Sequence, residues 1–195
     1  LAPPRFDFMF VDEIYDLAKT FHFSSDVISL IHHVLHDHRP QTWSGSAKSD
    51  HHHYRDNGLS EHTLEVIRLC FSTKETLKLK DVDDVELFLA ALYHDVGKIH
   101  DYEKKDFNVW GPTVHKRMIH HISRSALMWS HAVESFPEVK SKYHDSVLHA
   151  ILAHHGHREW GSPVSPNTKV AWILHLCDGL SARMDDWNKI DFVKK

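Results

Sequence analysis

Glycine and proline are scarce in this 195-residue sequence, at seven each, which suits a compact helical protein. Cysteine is rarer still. Cys70 and Cys177 lie inside apolar helical patterns, lack the close pairing of zinc or redox motifs, and read as reduced core residues. No apolar run approaches the roughly 18 residues that cross a bilayer, and no basic segment followed by an apolar stretch opens the chain. A soluble, cytoplasmic protein without a membrane partner is therefore expected. An excess of basic charge is missing too. A formal net charge of −4 argues against a broad cationic surface for long nucleic acid and favours a small substrate or the end of a strand. No internal repeat or low-complexity tract is visible, and nothing alternates with a period of two over strand lengths. The expectation is all-α, and the length suits one structural domain.

What the sequence has in excess is histidine, 21 in all. Neutral imidazole is the commonest metal ligand, so position decides which of these residues matter. The chain opens at Leu1 rather than methionine, which suits a processed or trimmed chain with residues upstream. An amphipathic stretch over 11–21 leads to Ser24, Ser25 and Asp26, N-caps for a second helix carrying Val27, Leu30, Ile31, Val34 and Leu35. His22, His32, His33, His36 and His38 read as a solvated face. Residues 39–58 read as a polar loop, with His51, His52 and His53 either solvated or forming a lip over a site. On this reading residues 1–57 pack on a core formed by 58–195.

Within that core, Ser60 is expected to cap a helix over 61–74. Asp83 and Asp84 open one that runs into His94-Asp95 and ends at Gly97. Pro112 suits the first turn of a long helix through Ser135, with Val114, Met118, His121, Ser125 and Met128 along one side. A helix over about 141–155 ends at His154-His155-Gly156. Asn167 is expected to cap a last helix in which Ala171, Leu174 and Asp178 share a face. Metal-capable residues thus stand at the polar ends of five apolar stripes: His62, His94-Asp95, His121, His154-His155 and Asp178. Packed helices can aim such residues into one bundle core.

The order His62, His94-Asp95, distant Asp178, with Ala90 through Lys98 as its centre, resembles the HD superfamily of metal-dependent phosphohydrolases over about residues 58–184. The resemblance implies an all-helical fold and a first metal held by His62, His94, Asp95 and Asp178. His121, His154 and His155 resemble the added histidines of binuclear members, the HD-GYP phosphodiesterases and the YhaM-type 3′-to-5′ exoribonucleases. That likeness implies a second metal on these three, with Asp95 bridging. Gly58-Leu59, Thr63 through Val66, His154-His155-Gly156 and Gly161-Ser162-Pro163 are most similar to the exoribonuclease type. The run from His51 to Glu65 is also similar to the HD segment of MobH-type relaxases. The chain departs from these families in three ways. It lacks the exoribonucleases' separate nucleic-acid-binding domain, carries His120 where a glycine is usual, and has no GYP motif.

Two metals about 3.5–4 Å apart can activate a bridging water and stabilise the leaving oxygen of a phosphate ester. Mixed His and carboxylate donors favour Mn²⁺ or Fe²⁺, with Zn²⁺, Co²⁺ and Ni²⁺ open. Asp95 and Lys98 are the expected catalytic residues. Lys98 either neutralises charge on phosphorus or complements a helix C-terminus. Glu65 either orients an imidazole or is an exposed helical residue. Arg158, Arg183 and Trp160 are candidate substrate contacts with Lys98, and Tyr93 and Trp110 are placed around the mouth or in the core.

The function expected is hydrolysis of a terminal phosphodiester of a short RNA or DNA strand, as a phosphodiesterase or 3′-to-5′ exonuclease. A nucleotide phosphohydrolase is the near alternative. A mixed-valent di-iron oxygenase and a non-catalytic binding module are the alternatives of other classes. Native metal, substrate and oligomeric state are left open by the sequence.

Overall fold

The computed structural model describes residues 9–36, 43, 57–106 and 110–188. The first described elements are two helices packed on one another, α1 (Met9–Thr20) and α2 (Ser25–His36). Ser24 caps α2 through its hydroxyl, which accepts the Val27 N–H at 3.4 Å. The apolar face of α2 buries Leu30, Ile31, Val34 and Leu35. His51, His52 and His53 lie outside the described residues, as does most of the expected 39–58 loop. Trp43 in that stretch is fully buried and donates its indole N–H to Val34 O at 2.9 Å.

α3 (Gly58–Thr76) starts one turn earlier than expected. Asn57 stands before it at φ 63, and Ser60 sits inside the first turn with its hydroxyl donating to Asn57 O. α4 (Asp84–Tyr93) is capped as the sequence indicates, by an Asp83 carboxylate that accepts from the Val85 and Glu86 amides. Leu87 through Tyr93 are all buried, so this helix is apolar on every side and forms the centre of the molecule, against α3, α6, α7 and α8. Truncating a side chain such as Leu92 to alanine there costs about 2–5 kcal/mol.

Gly97 does not end α4. The helix passes through His94 into a short 3-10 helix (Val96–His100) with Gly97 inside it. A Cβ at Gly97 would lie 2.4 Å from His121 O and 2.7 Å from Ser125 N, so the glycine lets this turn press on the backbone of α6. Two short antiparallel strands follow, β1 (Tyr102–Lys104) and β2 (Trp110–Pro112), in the register Tyr102↔Pro112 and Lys104↔Trp110.

Pro112 therefore ends a strand and does not open a long helix. Thr113 caps α5 (Val114–Met118), and α6 (His121–Val133) starts after a break at Ile119-His120. The expected common face splits at that break. Val114 and Met118 are 70% and 77% exposed, while His121 and Ser125 are buried. α7 (Pro137–Ala153) begins on its proline. A 3-10 turn (Arg158–Trp160) leads to α8 (Lys169–Asn188), capped by Thr168 rather than Asn167: the Thr168 hydroxyl accepts from Ala171 N at 3.1 Å. The all-α expectation holds, with the small hairpin as the addition. No helix among the described residues is long and apolar enough to cross a membrane.

Candidate metal centre

The first turns of α3 and α6, the C-terminal ends of α4 and α7 and the middle of α8 meet in the buried middle of the bundle. His62, His94, Asp95 and Asp178 each offer a ligand atom within 4.8 Å of the others, and His121, His154 and His155 form a second such group. His62 Nε2 lies 2.8 Å from Asp178 Oδ1 and 3.5 Å from Asp95 Oδ2. His94 Nε2 is 3.4 Å from Asp178 Oδ1 and 3.5 Å from Asp95 Oδ2. The other oxygen of Asp95 faces the second group, 3.5 Å from His121 Nε2 and 3.4 Å from His154 Nε2. Asp95 sits just past the helix at φ −115, ψ 7, a sparsely occupied backbone region frequent at active sites.

The imidazoles are aimed by their Nδ1 atoms. His94 Nδ1 donates to Ala91 O and His154 Nδ1 to Ile151 O, each at 2.6 Å, one turn back along their own helices. His155 Nδ1 donates to Trp160 O at 3.1 Å. Those bonds place a proton on Nδ1 and turn Nε2 toward the centre, the orientation a metal ligand needs. His62 Nδ1 meets Ser181 Oγ at 2.9 Å, and Asp101 stands behind His121 with Oδ2 3.8 Å from Nδ1. Gly156 adopts φ 82 at the α7 terminus, where a Cβ would strike the His175 ring at 2.2 Å. His175 in turn donates to His154 O at 2.9 Å and fixes that turn.

Charge divides the centre in two. At His94, burial opposes protonation, but Asp95 and Asp178 outweigh it and push the pKa up to about 10. At His155, burial and then His154 push it down to about 4, and burial and Lys98 hold His121 well below the usual histidine value. The Asp95 carboxyl is held well below its ordinary range because Lys98 and His94 outweigh its burial. Lys98 is only 8% exposed and sets its ammonium 2.8 Å from Asp95 Oδ2.

Asp95 Oδ1, His121 Nε2 and His154 Nε2 are buried without a hydrogen-bond partner. A buried acceptor left unpaired costs about 1–3 kcal/mol, and three converging on one point are what a cation between them would satisfy. The donor set fits divalent metal: two imidazoles and two carboxylates on one side, three imidazoles and the shared carboxylate on the other.

A cavity of about 270 Å³ opens onto this centre, lined by Asp95, Lys98, Tyr102, Lys116, His120, His121, His155, Asp178 and Ala182. The seven residues expected as ligands are all brought together here, and Lys98 with them. Arg158, Trp160 and Arg183 are not on its wall. Arg158 and Trp160 are exposed on the 3-10 turn, and Arg183 folds back to donate to Gly179 O. Tyr93 belongs to the core, edge-on to Trp129. Glu65 lines a separate surface hollow with Arg68, so the orienting role considered for it falls to Ser181. Asp101, Tyr102, Lys116, His120 and Ser181 were not singled out from the sequence for this site.

The family described as the HD domain matches residues 59–183. The chain is 30% identical over 152 residues to the 3′-5′ exoribonuclease YhaM of Bacillus subtilis (strain 168), covering 78% of this chain and 47% of the relative. It is 29% identical over 152 residues, with the same coverage, to the protein of that name from Bacillus velezensis. The chain thus spans about half the length of these relatives. No solved structure gives a significant match. The resemblance read from the sequence agrees with both findings, as does the expected class, a metal-dependent phosphohydrolase.

Proposed function

Because the chain belongs to the HD-domain family, we propose that its centre is binuclear and cleaves a terminal phosphodiester of a short RNA or DNA strand, in the manner of a 3′-to-5′ exonuclease. One observation carries the binuclear reading: the two oxygens of Asp95 face two different donor groups, and one of those oxygens has no other partner. When bound, two divalent ions supply a nucleophile at neutral pH and charge stabilisation for the leaving oxygen.

The chain's own residues do the rest. His62 and His94 with Asp178 would hold one ion, and His121, His154 and His155 the other. Lys98, kept charged by Asp95 despite its burial, presents an ammonium to the non-bridging oxygens of a phosphate, where negative charge grows during the displacement. The cavity admits one residue-sized group rather than a duplex, which favours a strand end over an internal linkage. The absence of excess positive charge fits the same choice.

The test is metal content by mass spectrometry together with cleavage of an end-labelled oligonucleotide by the same preparation, for the wild type and Asp95→Ala. Wild type with about two metals per chain and end-wise release of mononucleotides is expected. Asp95→Ala should lose bound metal, and its rate should fall by about 10³-fold or more. Oligonucleotides left intact while nucleoside triphosphates release phosphate would move the substrate to nucleotides. Oxygen uptake without phosphate chemistry would overturn the reaction class.

A further inference from the structure

His120 is held in a backbone conformation that suits glycine. Its φ is 67 and its ψ 149, a combination nearly confined to glycine because a Cβ there crowds the flanking peptide groups. The surrounding chain leaves no freedom to relax it. Ile119 N closes α5 on His115 O at 3.0 Å, and Arg124 N takes His120 O at 3.1 Å as the first bond of α6. The start of α6 cannot move because the Gly97 turn is pressed against its backbone and the Gly97 N–H is held by Ser125 Oγ at 2.8 Å. The two helices therefore meet through one sharply turned residue. A glycine would make that turn without strain, so a histidine there gives up stability in exchange for its side chain.

That side chain reaches the wall of the cavity over the metal centre, where its ring lies beside His121 with centroids 4.3 Å apart. Lys116 from α5 lines the same wall and donates to the Tyr102 hydroxyl at 2.5 Å, which fixes the ammonium at the rim. Lys98 supplies a second cation deeper in. The Asp95 and Asp178 carboxylates in the same lining belong to the metal-ligand groups; the imidazole, the phenol and the two ammonium groups beside them offer hydrogen-bond donors of the kind that receive phosphate oxygens. None of the three rim residues has a place among the seven metal-ligand candidates.

We propose that His120, with Lys116 beside it, is a substrate-binding residue that grips a phosphate group of the substrate at the rim of this cavity. The strained backbone at His120 is the cost of aiming the imidazole there. The proposal rests on reading the centre as one that acts on phosphodiesters, and the experiment separates the two.

Wild type, His120→Gly and His120→Ala are compared in metal-loaded protein by melting temperature and by affinity for a phosphorothioate-linked dinucleotide, with Lys116→Gln included for binding. Glycine relieves the strain and removes the ring, whereas alanine removes the ring and keeps the strain. His120→Gly is expected to melt about 2–4 °C above His120→Ala. Both should bind the dinucleotide about tenfold more weakly than wild type, as should Lys116→Gln. On a cleavable dinucleotide, KM should rise by about the same factor while kcat changes by less than about threefold. His120→Gly that binds as tightly as wild type overturns the proposal, and so does a wild type that does not bind the dinucleotide at all. A wild type that binds it through His120 and cleaves no phosphodiester keeps the rim and removes the proposed reaction.

Discussion

Asp95 is the residue on which the two halves of the centre depend, and the histidines on either side of it carry opposite electrical burdens. In metal-free protein, His62 and His94 face Asp178 and Asp95 and are raised above the ordinary value of 6.5, His94 to about 10. A raised histidine stabilises the fold fully below 6.5 and loses that contribution as pH climbs toward 10. His155 and His121 are lowered, so their contribution is present above 6.5 and is lost as pH falls toward 4. Chelator-treated protein should therefore melt highest near neutrality, with the melting temperature falling on both sides. A flat profile from about pH 5 to pH 9 would show that these groups do not titrate as their surroundings dictate. Metal-loaded protein should behave differently on the alkaline side. Binding there displaces the His94 proton, so affinity rises with pH, and calorimetry in buffers of different ionisation enthalpy should register protons released.

At the scale of elements, the 3-10 turn through Gly97 sets the distance between His94-Asp95 and His121. Gly97→Ala puts a methyl group 2.4 Å from a backbone oxygen of α6, which has no side-chain freedom to give way. The substitution is expected to destabilise by about 1–3 kcal/mol. For a chain of this size that lowers the melting temperature by about 2–4 °C per kcal/mol. Because the displaced residue is His121, the second metal equivalent should weaken while the first, on His62, His94, Asp95 and Asp178, is kept. Loss of both equivalents together, or of neither, would disconnect this turn from the second donor group.

The same segment marks the limit of what the sequence discloses. His62, His94, Asp95, Asp178 and the His154-His155 pair are legible because each ends or interrupts a regular apolar stripe, and the period of the stripe says which way the residue faces. Asp101, Tyr102, Lys116 and His120 lie between Asp95 and His121, where a 3-10 turn, a two-stranded hairpin and a five-residue helix replace one another within a few residues. No period survives there, so Pro112 reads as a helix start although it ends a strand. Ser181 is hidden for another reason. It stands one turn after Asp178, and a serine on a helix face is too common to mark as the partner of an imidazole 119 residues earlier.

Across the whole molecule, the centre joins segments that are otherwise far apart in sequence, His62 and Asp178 being 116 residues from one another. Without a cation, the fold buries carboxylates, an ammonium and imidazoles whose lone pairs converge, an arrangement that costs solvation on every member. A ligand that binds only the folded chain adds about 2.7 kcal/mol at a free concentration 100 times its dissociation constant. For a protein of this length that is a rise of about 5–10 °C. Removing metal with a chelator should therefore lower the melting temperature by that amount, and Mn²⁺ should restore it. The two equivalents should not be alike. The first donor group has Asp178 in addition to Asp95, so it attracts a dication more strongly and should fill first, whereas the second group offers three imidazoles and one shared oxygen. Asp178→Asn removes that advantage and should make the two steps of a Mn²⁺ titration merge. If chelation leaves the melting temperature unmoved and Mn²⁺ adds nothing, the converging donors form a structural polar network, and their unpaired atoms are satisfied by water.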